Sequence, residues 1–479
     1  TQVVEDIRRT FEPDWQRRGL WNRAYYEARV PGVPTMLLEL LSHQNFADMR
    51  LGSDPRFKFL VSRAVYKGIL RYICSQYGLP YVVQPLPVEA FAAEFTAEDR
   101  VALSWSPVMD PLEKSAAPTG YVVYTRVDDG GFDNGRPVDE PGLVVEQKPG
   151  HIYSYRVTAV NEGGESFPSE TLSACRVADE RGRVLIVNGF DRVSAPLSER
   201  SDSLAGFRME IDGGVPDRQD IAFAGAQHVF DLSQARCDVD SIALGACGCD
   251  FETDVIGGNT FDYPALHGRS VAAGYSFCSA SLKAVERGET TLGRYPAVDL
   301  ILGKQRTTTI GRGVQDPAFE TFSPELQSVL RRYLADGGAL FASGAYVVSD
   351  LWAEEAPGEG RAFAEEVLHC ALDTGRAAER GRARVVTAHE DFSRGEYRFN
   401  DEYRPDRYIV ESPDALKPVG AEAFAVMRYV ENDRTAAVAC EAQGRTFVVG
   451  FPFEAILSRT ERDRLMRDAL RFLLNENIK

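Results

Sequence analysis

Glu39 is the residue whose surroundings in the chain most suggest chemistry. It falls in the run Val33-Pro34-Thr35-Met36-Leu37-Leu38-Glu39-Leu40, a mostly apolar stretch that reads as a short buried strand. A lone carboxylate is costly to bury there, and in open α/β sheets ligands bind beyond the carboxyl ends of strands. The plainer alternative is an acid satisfied by a helix N-terminus or an arginine. A second cluster is the polar-aromatic loop Gly258 to Gly268, in which Asp262 and His267 form a candidate acid–base pair; a satisfied histidine in a structured loop is the simpler reading. Lys304-Gln305-Arg306 follows an apolar strand and offers an anion site at the sheet edge, or else a solvated charge cluster. The eight cysteines are scattered without a Cys-x-x-Cys pair. They do not spell a disulfide scaffold or a structural zinc site, and Cys247 and Cys249, the one close pair, read first as unpaired thiols, with a disulfide or metal role as the alternative.

Three kinds of segment must position these residues. Over residues 1–80, helical and strand patterns alternate, with an amphipathic helix from Asp54 to Tyr77 that closes near Gly78 and Pro80. Residues 81–178 open on a proline-rich linker. They continue as short Val-, Tyr- and Thr-rich runs at 101–105, 120–124 and 151–160, separated by turn signals, which predicts a β-sandwich. Residues 179–479 return to continuous apolar strands (184–187, 298–302, 339–342, 446–449) with helices at 324–334 and 461–474 between and after them. That alternation predicts a parallel sheet covered on both faces. The expected fold class is thus multidomain, α/β plus β.

The whole chain, 479 residues with a net charge of -17, is too long for one ordinary core. Its acidity argues against nucleic-acid binding, which needs a concentrated basic surface. No apolar run approaches the roughly 18–20 residues that would span a bilayer.

The stretch Arg18-Gly19-Leu20, then Val30-Pro31-Gly32-Val33 through Glu39, with Asn45 six positions on, resembles the last catalytic block of the zinc-dependent N-acetylmuramoyl-L-alanine amidases. Asp48, Leu51 and the helix carrying Ala64-Val65-Tyr66-Lys67-Gly68-Ile69 also fit, while Leu41-Ser42 stands where a Gly-Phe pair is usual. The resemblance makes residues 1–80 the C-terminal part of an amidase-like α/β domain. It implies zinc-assisted hydrolysis of the amide between the lactyl group of N-acetylmuramic acid and the first alanine of the stem peptide. Glu39 would be the catalytic carboxylate, taking a proton from water and passing it to the leaving amine. The family's zinc ligands, two histidines and a glutamate, come from upstream of this block. None of the 38 residues before Glu39 is histidine, so the zinc ligands are expected upstream of this chain, in a further segment of the same gene product. His43 falls in a loop where the family has no ligand.

Trp105, the run Gly120 to Tyr124, and Tyr153 through Ser166 resemble a fibronectin type III module, with Trp105 as core tryptophan and Tyr153 as corner tyrosine. Residues 179–479 resemble the flavodoxin-like, class I glutamine-amidotransferase-like fold. Phe341-Ala342-Ser343-Gly344-Ala345-Tyr346 stands where that fold carries its nucleophile elbow. The elbow cysteine is absent and Ser343 is at or near its place. A triad needs a histidine oriented by an acid, and nothing in the spacing of His369 or His389 marks either as that partner, so Ser343 reads first as a small residue in a tight turn.

These resemblances imply an extracytoplasmic peptidoglycan amidase whose partner is peptidoglycan or another glycan. The alternatives are a non-catalytic glycan- or protein-binding scaffold and a polysaccharide-degrading enzyme of the xanthan-lyase kind. Lyase chemistry wants a tyrosine, histidine or lysine base near a neutralised uronate, an arrangement the sequence does not show.

Overall fold

A computed structural model describes residues 2–42, 45–97, 99–200, 204–223, 229–231, 253–311, 315–353 and 358–475. The chain starts with helices α1 (Gln2–Thr10), α2 (Tyr26–Arg29), α3 (Phe46–Gly52) and α4 (Pro55–Tyr77). Asp54 caps α4 by accepting the Arg56 amide, and Gly78 ends it in the left-handed conformation at φ 64°, a backbone state that favours glycine. Inside this region Ile7, Phe11, Phe57 and Val61 form a small core with Ile310. The Lys67 ammonium is buried 2.6 Å from Asp6.

One expectation fails here. Residues 33–42 form no strand, and Met36, Leu37 and Leu38 are exposed. A strand needs a neighbour for its backbone groups, and no described strand pairs with this run.

Strands β1 (Glu89–Ala97), β2 (Arg100–Ser106), β3 (Gly120–Val127), β4 (Arg136–Val138), β5 (Gly142–Glu146), β6 (Ile152–Asn161), β7 (Gly164–Glu165) and β8 (Leu172–Cys175) follow. They pair as β1-β2-β5 on one side and β4-β3-β6-β8 on the other, all antiparallel. Trp105 is buried between them, 6.3 Å from Phe91 and 5.3 Å from Tyr121 by ring centroids. The Tyr153 hydroxyl accepts the Lys148 amide at 3.2 Å, tying the corner as the sequence suggested.

The remainder holds β9 (Arg183–Asn188), the short strands β10 (Ser198–Arg200), β11 (Leu204–Phe207), β12 (Gln219–Phe223), β13 (Val229–Asp231) and β14 (Thr253–Gly257), then α5 (Tyr263–Val271), β15 (Ser276–Ser281), α6 (Leu282–Glu286), β16 (Ala297–Gly303), α7 (Pro324–Ala335), β17 (Ala339–Gly344) and α8 (Gly358–Glu366). After these come β18 (Cys370–Thr374), β19 (Arg382–Val385), β20 (Glu396–Arg398), β21 (Ala415–Pro418), β22 (Ala423–Tyr429), β23 (Thr435–Cys440), β24 (Thr446–Val449) and α9 (Arg459–Leu473). Five strands run parallel in the order β15-β9-β16-β17-β24. Numbered along the chain, that order is 2-1-3-4-5. Antiparallel β23, β22, β19 and β20 extend it beyond β24.

Alternate residues of each parallel strand face opposite cores. Leu185, Val187, Leu300 and Leu340 meet α6 and α7, whereas Val184, Ile186, Ile301 and Phe341 meet α5 and α9. Helices on both faces explain why these strands read as unbroken apolar runs.

The sandwich is hydrogen-bonded to this sheet. Strand β1 pairs with β15 at Ala92↔Ala280, and β8 pairs with β15 at Phe277↔Cys175. The Ser279 hydroxyl donates to the Ser173 carbonyl and accepts its amide, both at 2.7 Å.

Candidate functional site

The order 2-1-3-4-5 reverses direction between β9 and β16, and the loops leaving their carboxyl ends diverge to opposite faces, which opens a crevice. Gly303 ends β16 at φ 47°, and a Cβ there would lie 2.2 Å from the Phe190 ring. Both facts require glycine. The turn lets Phe190 pack against Gly303 and carries the chain into Lys304, Gln305 and Arg306. Gln305 clamps the opposite loop: its side-chain oxygen accepts the Asp191 and Arg192 amides at 3.2 and 3.1 Å.

Lys304 is not a solvated charge. It is fully buried, with its ammonium 2.6 Å from Glu411, 3.5 Å from Asp212 and 3.1 Å from the Gly214 carbonyl. Arg192, also buried, donates to Asp212 at 2.6 Å. Arg306 reaches Asp212 at 3.7 Å from a partly exposed position over the Tyr346 ring. Burial alone would raise the Asp212 carboxyl, but Arg192 and Lys304 hold it well below the usual range. Burial keeps Glu411 raised despite Lys304. Three cations thus face two carboxylates, and the surplus charge sits on Arg306 at the surface.

Above this cluster lies a cavity of about 1920 Å³, walled on the far side by the N-terminal segment. Glu39 lines it, as do Arg192, Asp212 and Arg306. Glu39 is exposed and makes no hydrogen bond or ion pair among the described residues. The structure therefore brings the candidate carboxylate and the crevice of the parallel sheet to one space, although Glu39 stands on an irregular segment and not at a strand end. Nine arginines and six carboxylates line this cavity, a cationic balance in a chain of net charge -17. Trp21 and Tyr25 add exposed aromatic faces, with the Arg23 guanidinium 4.9 Å from the Trp21 ring centroid.

A zinc ion would need a compact set of histidine, thiolate or carboxylate donors. The described residues do not fit it: no group of three or more such donors is suitably placed, and the described cavity lining contains neither histidine nor cysteine. His43 lies outside the described residues, as do Cys237, Cys247 and Cys249. The other five cysteines are buried free thiols.

The remaining candidates are held elsewhere. Asp262 does not pair with His267; it takes two 2.7 Å hydrogen bonds from Arg126 of the sandwich. His267 lies on α5, a helix where the sequence suggested a loop, and is enclosed between Asp299 at 2.8 Å and Glu454 at 3.3 Å. Ser343 is a buried strand residue whose hydroxyl accepts the Phe453 amide at 3.3 Å. His389 turns to Glu441 instead. The Arg192–Asp212–Lys304–Glu411 cluster is not legible in the sequence because its members are scattered from residue 192 to residue 411. Lys304 directly after a strand end was the available signal.

No family model matches the chain, and no curated protein matches it. Solved structures do. One described as a myokine structure is 14% identical over 20% of this chain and 99% of its own, at a TM-score of 0.17. An FN3tt mutant is 21% identical over 19% and 94%, at 0.16. The FN5 domain of Drosophila Lar is 18% identical over 20% and 98%, also at 0.16. Fibronectin type III-like domains are thus among the structures this chain is similar to, and the sandwich itself rests on the strand pairings above. Among the described residues, no helix is long and apolar enough to cross a membrane.

Proposed function

We propose that the chain handles peptidoglycan outside the cytoplasm, with the cavity as the place where a glycan-linked peptide lies and Glu39 as the group that moves a proton during amide hydrolysis. The observation that carries this reading is the position of Glu39: an exposed carboxylate, unpaired among the described residues, on a large cavity with an excess of arginines. Stem peptides carry carboxylates, which guanidinium groups grip through paired hydrogen bonds. Sugar rings suit the flat faces of Trp21 and Tyr25. The resemblance of residues 18–69 to the amidase block supports the same assignment. A carboxylate facing open solvent can accept a proton from an attacking water and return it to the departing amine. The parallel order 2-1-3-4-5 supports a flavodoxin-like, amidotransferase-like reading of residues 179–479, with ligand contact at the β9–β16 crevice.

The second reading, a binding scaffold without catalysis, is favoured by the lining of the same cavity, whose described residues include no histidine or cysteine. One experiment separates them. Soluble muropeptides are incubated with the chain, with and without added zinc and with any upstream segment of its gene supplied, and both retention and release of the stem peptide are measured. The hydrolase reading expects release, lost by at least about a hundredfold in Glu39→Gln while retention persists. The scaffold reading expects retention without release, weakened by Arg306→Gln. Absence of both would overturn the two together.

A further inference from the structure

A second cavity, about 430 Å³, lies at the seam between the sandwich and the parallel sheet. Its charges can be accounted for one by one. Arg126 is bound to Asp262, Arg269 to Asp129, and Asp128 to His151. Asp463 takes the Ser270 hydroxyl and lies 3.7 Å from Arg459. Asp406 holds Arg404, and Glu454 is occupied by His267 and Tyr408.

Two guanidinium groups are left over. Arg407 donates to the Ile456 carbonyl at 2.9 Å. Arg462 donates to that same carbonyl and to Leu457. Among the described residues neither makes a hydrogen bond or close ion pair with a carboxylate; the charges of Asp406 and Asp463, both engaged elsewhere, act on Arg407 and Arg462 only from a distance. Two cations sharing one neutral acceptor is an unfavourable arrangement in a half-buried site, and it occurs in a chain with 71 acidic side chains available to relieve it. Burial first, then the neighbouring Arg407, depress the Arg462 pKa, and the Asp463 charge offsets them only in part. Such a site is completed by an anion, and the space is large enough for a sugar-sized molecule around it. The carboxylates on the sandwich side are acceptors suited to sugar hydroxyls.

We propose that this cavity binds a sugar-sized ligand carrying one oxyanion (phosphate, sulfate or carboxylate) gripped between Arg407 and Arg462. The proposal is independent of the peptidoglycan reading and of Glu39.

The test is titration calorimetry of the full chain at fixed ionic strength with inorganic phosphate, sulfate, glucose 6-phosphate and glucuronate. Binding is expected, weakened at least about tenfold in Arg407→Gln and in Arg462→Gln and partly restored in Arg407→Lys, with thermal unfolding of all variants close to that of the parent. Preference for glucose 6-phosphate over glucuronate would assign a tetrahedral oxyanion, and the reverse a uronate. No binding of any probe, or binding unchanged in both glutamine variants, would overturn it.

Discussion

His267 Nδ1 lies 2.8 Å from Asp299 Oδ2, and Nε2 of the same ring lies 3.3 Å from Glu454, in a pocket closed to solvent. Burial disfavours the charged imidazole, but the Asp299 charge and hydrogen bond, then Glu454, outweigh it and raise the His267 pKa from 6.5 to about 9. A pKa raised by folding contributes stability that is fully present below about 6.5 and is lost as the pH rises through 9. The contribution is on the order of 3 kcal/mol. Urea unfolding midpoints are therefore expected to fall between pH 6.5 and 9, and His267→Gln to flatten the profile across that window.

The crevice cluster works in the opposite sense. Asp212 is held below its ordinary value of 3.8 by Arg192 and Lys304, against its own burial. Its stabilisation is present above that value and fades as the pH falls below it. Lys304→Met removes one of the three cations around Asp212 and takes from Glu411 its ammonium partner. The expected result is a loss of about 3 kcal/mol near neutrality, with a shallower acid-unfolding profile below pH 4, read by circular dichroism.

Local pattern made much of the fold legible. The helix expected from Asp54 to Tyr77 is Pro55–Tyr77, because both of its caps are written in the sequence. The strand at 446–449 is Thr446–Val449, because a strand covered on both faces shows as an unbroken apolar run. The run around Glu39 misled for a related reason. Apolar content marks a segment that can become a strand, but the partner that supplies its hydrogen bonds is not a local property. The loop expected at 258–268 contains α5, where Pro264 sits in the first turn and His267 faces the core. Its partners Asp299 and Glu454 are 32 and 187 residues away, so no spacing rule could join them. Long separations likewise hid Asp212 and Glu411 behind Lys304.

Trp105 is enclosed by Phe91 and Tyr121 at the centre of the sandwich. Trp105→Ala opens a large cavity there and is expected to cost about 3–5 kcal/mol. Because β1 and β8 both hydrogen-bond to β15, the damage should not stay in the sandwich. A single calorimetric transition shifted to lower temperature is expected; an unchanged main transition preceded by a separate small one would show that the two units unfold independently.

Arg63 on α4 places Nε and Nη2 at 3.1 and 2.9 Å from Asp110 Oδ2, and Nη2 also donates to the Gln84 carbonyl at 2.8 Å. Both side chains are buried, so the pair fastens the N-terminal region, and with it the wall of the large cavity, to the sandwich. Removing one partner of a buried pair strands the other charge, at about 3 kcal/mol or more. Asp110 has a second duty, since its Oδ1 accepts the Leu112 amide at 2.8 Å. Asp110→Asn can keep that bond while deleting the charge, whereas Asp110→Ala deletes both. If the ion pair is what docks α4, both variants should speed hydrogen exchange across residues 55–77 to a similar degree. If the turn at Leu112 dominates, the alanine variant alone will do so, and residues 107–116 will exchange first.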